Sequence, residues 1–388
     1  MKYLIKAVLG LVHLLTFGQL KYSRPVEGNA LYMSAGEKFW WGYKFFGHPI
    51  KEPERGKGIR EHFQANPPEG FTGVGESESA VEGLPSITLG LAGDILPCPD
   101  LHNNPPKLLG DAIDFFGAAD IRCANLESPV FAAKPLCAPT DDITAPPEMN
   151  NSPEALALLL QKAGQSNGLT VLTTANNHSM DQGVEGLVAT LDLLDELQVL
   201  HVGTARSTEE RDALLLVDVQ GFKLAFLSWT YSLNNKSLSD GQGHLANTLR
   251  LNLPDVDLSP ITAQVAEARQ RGADFVILCL HWGLENEKFP LASQIEKAHR
   301  LCESGVDIIC GNHPHTTQPA ERYTWVEQQG DREVQRESLI LYALGDFISP
   351  LAHLNLSSVT NMVETLLVRG VDGRVVIQDV TIKPLYAC

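Results

Sequence analysis

The sequence predicts a mixed α/β fold whose strands deliver polar side chains to one site. Three observations predict it. From residue 86 onward, short apolar runs alternate with segments of helical period. The chain closes on a pair of strand-like runs joined through Asp372-Gly373, a hairpin signal. Most tellingly, four apolar runs end in residues of metal-ligand type: Gly93-Asp94, Asn176-Asn177-His178, His281-Trp282-Gly283 and Gly311-Asn312-His313-Pro314-His315. A fifth cluster, Asn125-Leu126-Glu127, follows the shorter mixed run 119–124. Strands alternating with helices build sheets layered with helices. The carboxyl ends of such strands are where open α/β sheets bind ligands.

The elements follow in order. Residues 87–92 and 121–124 read as strands, with a helix over 107–116 between them. A helix over 153–163 places Leu156, Leu159 and Leu160 on one face. The run 170–174 is a strand. Residues 183–197 form a helix with apolar positions 184, 187, 191 and 194, and 199–202 is a strand. Runs 214–219 and 223–228 flank Gln220-Gly221 as a hairpin. Helices over 260–271 and 291–303 alternate with strands 275–280 and 306–310. Strand 338–344 ends at Gly345-Asp346, and runs 364–368 and 374–380 close the chain.

Residues 1–84 differ and read as an N-terminal extension to a domain over 85–388. An apolar run at 7–17 follows Lys2 and Lys6. It resembles the start of a signal peptide without a small-x-small cleavage site, and it is short of the ~20 residues a membrane span needs. An anchor or interface helix and a helix packed on the domain are the two readings, the second being the one carried forward. An aromatic cluster, Phe39, Trp40, Trp41, Tyr43, Phe45 and Phe46, includes Lys38 and Lys44. It suits a membrane interface or a lid on the core, and the lid is carried forward. The stretch 67–83 is rich in Gly, Pro, Ser and Glu and reads as a linker.

Composition bounds the function. The 388 residues are 44% hydrophobic and 20% charged, ordinary for a globular protein. A net charge of −17 argues against nucleic-acid binding, which needs a basic surface. An acidic chain that handles anions needs a local positive centre, which bound cations supply. The seven cysteines are odd in number and lack C-x-x-C spacing, so they form no disulfide scaffold. A Cys98–Cys137 bridge stays open on sequence alone.

Each cluster has a plain alternative. Asp94 could ligate a cation or cap a turn. Asn125 and Glu127 share a face if extended, so Glu127 could bridge two metals, or could simply end a strand before Pro129. Asn177 could ligate through its side-chain oxygen while His178 donates a proton to a leaving group; helix capping needs less than two Asn and a His. His281 alone is a common buried histidine. His313 and His315, two apart and extended, would point the same way toward two ions about 3.5–4 Å apart. The donors are carboxylates, an amide oxygen and imidazoles, with no thiolate. That set fits two divalent ions of the Mn, Fe or Zn kind, holding a bridging hydroxide as nucleophile.

Taken in order, these motifs, together with Gly345-Asp346-Phe347, resemble the CapA family of capsule synthesis proteins, associated with poly-γ-glutamate biosynthesis and similar in turn to calcineurin-like metallophosphoesterases. The resemblance covers residues 86–350. It implies a four-layer α/β/β/α sandwich with a two-metal site. It implies Asp94 as the first aspartate ligand, Glu127 in place of a bridging aspartate, and Asn177, His281, His313 and His315 as further ligands, with His178 as proton donor. Gly345-Asp346 matches a signature without an assigned role. One departure stands out: the phosphoesterases carry Asp-x-His in the first motif, whereas position 96 here is Leu. The first metal thereby loses a ligand. Arg122, the arginine nearest a motif, is the candidate for helping to bind an anion.

The expected function is therefore a metal-dependent hydrolase or transferase acting on an anionic ester or γ-glutamyl amide, small or polymeric. The alternatives are a non-catalytic accessory subunit of a capsule synthesis complex and a phosphoesterase with another substrate. A membrane-surface contact through the N-terminal segment is the further partner expectation. Localisation stays open between membrane association and the cytoplasm.

Overall fold

The computed structural model describes residues 12, 19–46, 49–74, 82–99, 110–137, 148–163, 168–350 and 358–386. The apolar run at 7–17 lies, but for Val12, outside the described residues, as do 107–109 of the first expected helix and 75–81 of the expected linker. Helices α1 (Ala35–Phe46) and α2 (Ile59–Ala65) precede the first strand. Then follow β1 (Ser86–Ile95), α3 (Gly110–Ala118), β2 (Ile121–Leu126), α4 (Pro153–Ala163), β3 (Leu169–Thr173), α5 (Gly183–Glu196), β4 (Leu200–Val202), α6 (Thr208–Asp212), β5 (Leu215–Val219), β6 (Phe222–Thr230), α7 (Ser259–Gln270), β7 (Phe275–His281), α8 (Ala292–Glu303), β8 (Ile308–Asn312), β9 (Ala320–Gln329), β10 (Arg332–Leu341), β11 (Asp346–Ile348), β12 (Val359–Arg369) and β13 (Val375–Tyr386).

The strands form two sheets. One runs β13-β12-β1-β2-β3-β4, with β11 added beside β1; the other runs β5-β6-β7-β8-β10-β9. The central pairings β1–β2–β3–β4 and β6–β7–β8 are parallel, and the hairpins β5–β6, β9–β10 and β12–β13 are antiparallel. Parallel strands need helical crossovers, so their carboxyl ends gather on one side.

Alternation along single strands sorts the layers. On β7, Ile277 and Cys279 join Leu89, Cys123 and Val171 of the other sheet in one core. Their neighbours Leu278 and Leu280 face the opposite way, against Ile261 and Val265 of α7 and Leu301 of α8. On β2, Cys123 faces the inter-sheet core, while Ala124 and Leu126 meet Phe116 of α3, Leu156 of α4 and Leu194 of α5. Successive strand residues point to opposite faces, so the order is helices, sheet, sheet, helices. Each layer's apolar face is removed from water, at roughly 25 cal/mol per Å² of apolar surface buried.

Several elements differ from the sequence reading. The strand expected over 338–344 stops at Leu341 and starts earlier, because it pairs along its length with β9. Strand β9 has Thr, Glu and Gln among its residues and carries no apolar run. Helices α1 and α2 and the three-residue β11 were likewise outside the reading. Val184, expected on the buried face of α5, is 37% exposed, while Leu187, Leu191 and Leu194 are buried. Cys98 and Cys137 are free thiols, so the bridge left open is not formed.

Candidate metal centre

The carboxyl ends of β1, β2, β7 and β8 bring the predicted residues together. Asp94 sits near the end of β1. Its backbone N–H donates to Gly345 O at 3.0 Å; its carboxylate accepts from Asn125 Nδ2 at 2.7 Å and from the His313 backbone N–H at 3.1 Å. Gly93 lets this happen: a Cβ there would stand 1.7 Å from Gly345 O. Asp94 is fully buried, and burial, with Asp346 nearby, raises its pKa to about 6 although His315 pulls the other way.

Glu127 follows β2 and is also fully buried. Neither of its carboxylate oxygens has a hydrogen-bond partner. Oε1 lies 3.3 Å from His281 Nε2 and 3.8 Å from His315 Nε2. Burial and the neighbouring Asp94 hold the Glu127 carboxyl well above its ordinary range. A buried anion without donors is costly. Its presence here fits a cation.

His281 ends β7, with Nε2 2.8 Å from Asn177 Oδ1 and Nδ1 3.2 Å from the Asn125 amide nitrogen. Asn177 donates to Asn234 Oδ1 at 3.1 Å. Asn176 instead holds the loop: it donates to Leu126 O at 2.7 Å and accepts from the His178 backbone N–H at 3.1 Å. His178 places Nδ1 2.6 Å from Asp181 Oδ2, a carboxylate that orients the ring.

His313 and His315 reach the site by an unexpected route. The extended geometry expected of them is absent: their φ angles are +98° and +53°. Left-handed backbone at two non-glycine residues is strained, of order 1–3 kcal/mol each, and the surroundings hold it. The rings end 6.0 Å apart, centroid to centroid. His313 Nδ1 is buried without a partner, and its ring packs 4.5 Å from that of Tyr231. Burial, with His315 beside them, holds His281 and His313 well below the ordinary histidine range, so both are neutral and have a lone pair to offer. His315 goes the other way: burial lowers its pKa, but Asp346, Glu127 and Asp94 outweigh this and raise it.

The residue that the sequence reading left without a role is Asp346. It opens β11, in register with Asp94 on the adjacent parallel strand. Its Oδ1 lies 2.8 Å from His315 Nδ1, and its Oδ2 is buried with no partner. Leu96, where a ligand was missed, is a core residue with no exposure. Asp346 stands beside Asp94 and His315 instead. Two groups of three side chains, Glu127–His313–His315 and Asp94–His315–Asp346, have ligand atoms all within 4.8 Å of one another. The signal for Asp346 was its Gly-Asp pair after a strand, the same pattern as Gly93-Asp94.

Arg122 does not belong to the site. It is buried at the opposite end of β2, where it donates to Thr170 Oγ1, Gly117 O and Gly168 O at 2.9, 3.1 and 2.8 Å. It ties strand and helix ends together.

Helix α1 packs beside the centre, against Glu285 and Glu287. Trp41 Nε1 donates to Glu285 Oε2 at 2.5 Å, and Lys44 pairs with Glu287 at 2.7 Å, both ends buried. Ser23 donates to the same Glu287. Trp40, Trp41, Lys44 and Glu285 line a small cavity that also touches His313. Among the described residues, no helix is long and apolar enough to cross a membrane.

Comparison with known proteins gives relatives of the chain. The capsule biosynthesis protein CapA of Bacillus anthracis is 29% identical over 187 residues, covering 48% of this chain and 42% of that protein. The PGA biosynthesis protein CapA of Bacillus subtilis (strain 168) is 28% identical over 234 residues, covering 60% and 54%. A probable polyglutamine synthesis accessory protein of Mycobacterium tuberculosis is 26% identical over 189 residues, covering 46% and 44%. The chain thus spans about half the length of the curated relatives it matches. Among solved structures, a phosphatase from Mycoplasma pneumoniae superposes with a TM-score of 0.41 at 12% identity, covering 78% of this chain and 94% of that one. A 5′-nucleotidase, so described, from Staphylococcus aureus superposes at 0.42 and 13%, covering 78% and 55%. The family model of the bacterial capsule synthesis protein PGA_cap matches residues 88–351. With more than half of its length matched, the chain belongs to the PGA_cap family of bacterial capsule synthesis proteins.

Proposed function

We propose that this chain is a metal-dependent hydrolase of capsule or poly-γ-glutamate biosynthesis, acting on an anionic phosphoester or γ-glutamyl amide. One observation carries the reading: the buried Glu127 carboxylate has no donor on either oxygen and faces His281 and His315. The residues present fit two divalent cations. Glu127, Asn177, His281 and His313 would hold one, and Asp94, His315 and Asp346 the other, with Glu127 between them. Of the Mn, Fe and Zn ions that such donors suit, none is singled out by ligand type. Bound there, the ions supply Lewis acidity and lower the pKa of water.

The chain's own residues do the remainder. His178, oriented by Asp181, gives a proton to the leaving group. Asn125 braces Asp94 and His281 and keeps both side chains aimed inward. Asn177 Oδ1 and His281 Nε2, 2.8 Å apart, would converge on the same ion position. Helix α1 excludes water from the His313 side, which strengthens every charge interaction within.

A second reading, a non-catalytic accessory subunit of a synthesis complex, is favoured by the closure of the centre. Asp94, Glu127, Asn177, His281, His313 and His315 are each at most 6% exposed. One experiment separates the two: metal content after purification, followed by turnover of a generic phosphodiester and of a γ-glutamyl peptide with added Mn²⁺. Bound metal with no turnover of either substrate moves the assignment to the accessory role. A protein that binds no metal sinks the two-cation centre.

A further inference from the structure

Elsewhere on the molecule a second set of ligand-type side chains converges. Glu321 opens β9 with its carboxylate fully buried. His62 of α2 meets its Oε2 through Nε2, and His299 of α8 meets its Oε1 through Nε2 at 2.5 Å. The ligand atoms of all three lie within 4.8 Å of one another. None of the three belongs to the strand ends that build the first centre, and none figures in the chemistry above.

We propose that His62, His299 and Glu321 form a separate zinc site. The donor set is two imidazole nitrogens and one carboxylate oxygen, which suits zinc and is a poor match for calcium or magnesium, whose ligands are oxygens. The rings are held before any ion arrives. Tyr323 stacks on His299 at 3.9 Å with planes 4° apart, and Phe63 meets His62 edge-on at 5.1 Å. Tyr342 donates its hydroxyl to Glu321 Oε1 at 3.2 Å, the outer-layer bond that orients a ligating carboxylate. The His62 and His299 side chains keep 27% and 21% of their exposure. A fourth position is therefore open to water on the solvent side. The three ligands come from α2, α8 and β9, so the ion would fasten the N-terminal segment to the second sheet's helical layer.

The competing account is a buried carboxylate that takes hydrogen bonds from two imidazoles and a tyrosine, with no ion. Zinc content per chain distinguishes the two accounts. The full-length protein, its His299→Gln variant and its His62→Ala variant are each equilibrated with excess Zn²⁺, dialysed and analysed for metal. Loss of one zinc equivalent in both variants, relative to wild type, is the expected result, whatever the first centre holds. The Glu127→Gln/His313→Ala protein, with the first centre disabled, keeps that equivalent, and cobalt placed in it gives the visible bands of a tetrahedral ion. Unchanged zinc content in His299→Gln, with the variant folded by circular dichroism, overturns the proposal. So does a Glu127→Gln/His313→Ala protein that is folded and binds no zinc. If His299→Gln fails to fold, Glu321→Gln, which keeps the shape and the Tyr342 hydrogen bond, takes its place in the same measurement.

Discussion

Asp94 and Asp346 stand side by side on adjacent parallel strands, and His315 lies between their carboxylates, 2.8 Å from Asp346 Oδ1 and 3.9 Å from Asp94 Oδ2. Two buried carboxylates at one imidazole are a strong attractor for a cation and a costly arrangement without one. Asp346→Asn keeps the shape and removes one charge. The expected result is loss of about one metal equivalent per chain by elemental analysis. Leu96→Ala should leave the metal content as it is and cost roughly 2–5 kcal/mol of stability, the usual effect of emptying a buried leucine site.

Glu127 Oε1 faces His281 and His315, one from each proposed ion position. Glu127→Gln is nearly isosteric, so the fold should persist while both ions bind weakly. Turnover of a generic phosphodiester should fall by about 100-fold or more, since several kcal/mol of charge stabilisation depend on the ions and each 1.36 kcal/mol is tenfold in rate. Unchanged metal content and unchanged turnover together would rule out a bridging role.

His178 bonds to Asp181 at 2.6 Å and lies 3.5 Å from the Asn234 amide nitrogen, and neither partner is a candidate ligand. His178→Ala should therefore leave metal content intact and lower kcat by roughly 10²–10⁴-fold, the usual span for a general acid. Asp181→Asn should give a smaller loss in kcat with KM little changed, because it only releases the ring's orientation. Steady-state kinetics on the metal-loaded proteins make the comparison.

The contribution of Asp94 to the pH dependence of the metal-free protein has a definite sign. Asp94 has its folded pKa raised from 3.8 to about 6. Its contribution to stability is present in full below the unfolded pKa and is lost as pH rises through about 6. Glu127 is shifted in the same direction. Asp94 should therefore subtract up to about 3 kcal/mol from the chelated protein between about pH 4 and pH 6–7, against the opposite trend of His281 and His313, whose folded pKa values are lowered. Denaturant titrations of wild type and Asp94→Asn across that range show it: the loss should shrink in the variant. Saturating metal should reverse the trend, with a gain of about 4 kcal/mol at a thousandfold excess over Kd.

Gly93 is placed where two backbones touch. Gly93→Ala sets a methyl 1.7 Å from Gly345 O, and neither backbone can yield without parting β1 from β11. The expected cost is about 3 kcal/mol or more, with loss of the metal that depends on Asp346. Thermal melting and elemental analysis on the same sample test both parts.

The sequence made most of the layered fold readable because the central strands are continuous apolar runs such as 275–280, buried on both faces. It failed at β9, where both faces mix polar and apolar side chains, Glu321, Tyr323, Trp325 and Glu327 on one and Arg322, Thr324 and Val326 on the other, and pairing with β10 rather than hydrophobic pattern makes the strand. Of the site, the six candidate ligands and His178 were named because each ends or follows a run. Their meeting at one site was read from their order; that Asp346 joins Asp94 and His315 was not, because it depends on β11 lying next to β1, a contact between distant parts of the chain that leaves no local pattern. Arg122 was a candidate only because Asn125 and Glu127 follow it in sequence; its side chain leaves at the other end of the strand, to Thr170, Gly117 and Gly168.

The pairing of β11 with β1 also fixes when the centre can exist. Asp94 leaves the ribosome long before Asp346, with β2 to β10 between them. A growing chain that has passed His315 but not Asp346 lacks one of the three side chains, so the Asp94–His315–Asp346 group closes only after β1 to β10 have been made. Long-range closure of this kind is slow compared with local folding. Metal uptake at that position would accordingly mark the end of folding, and truncated or half-folded chains would be left without it.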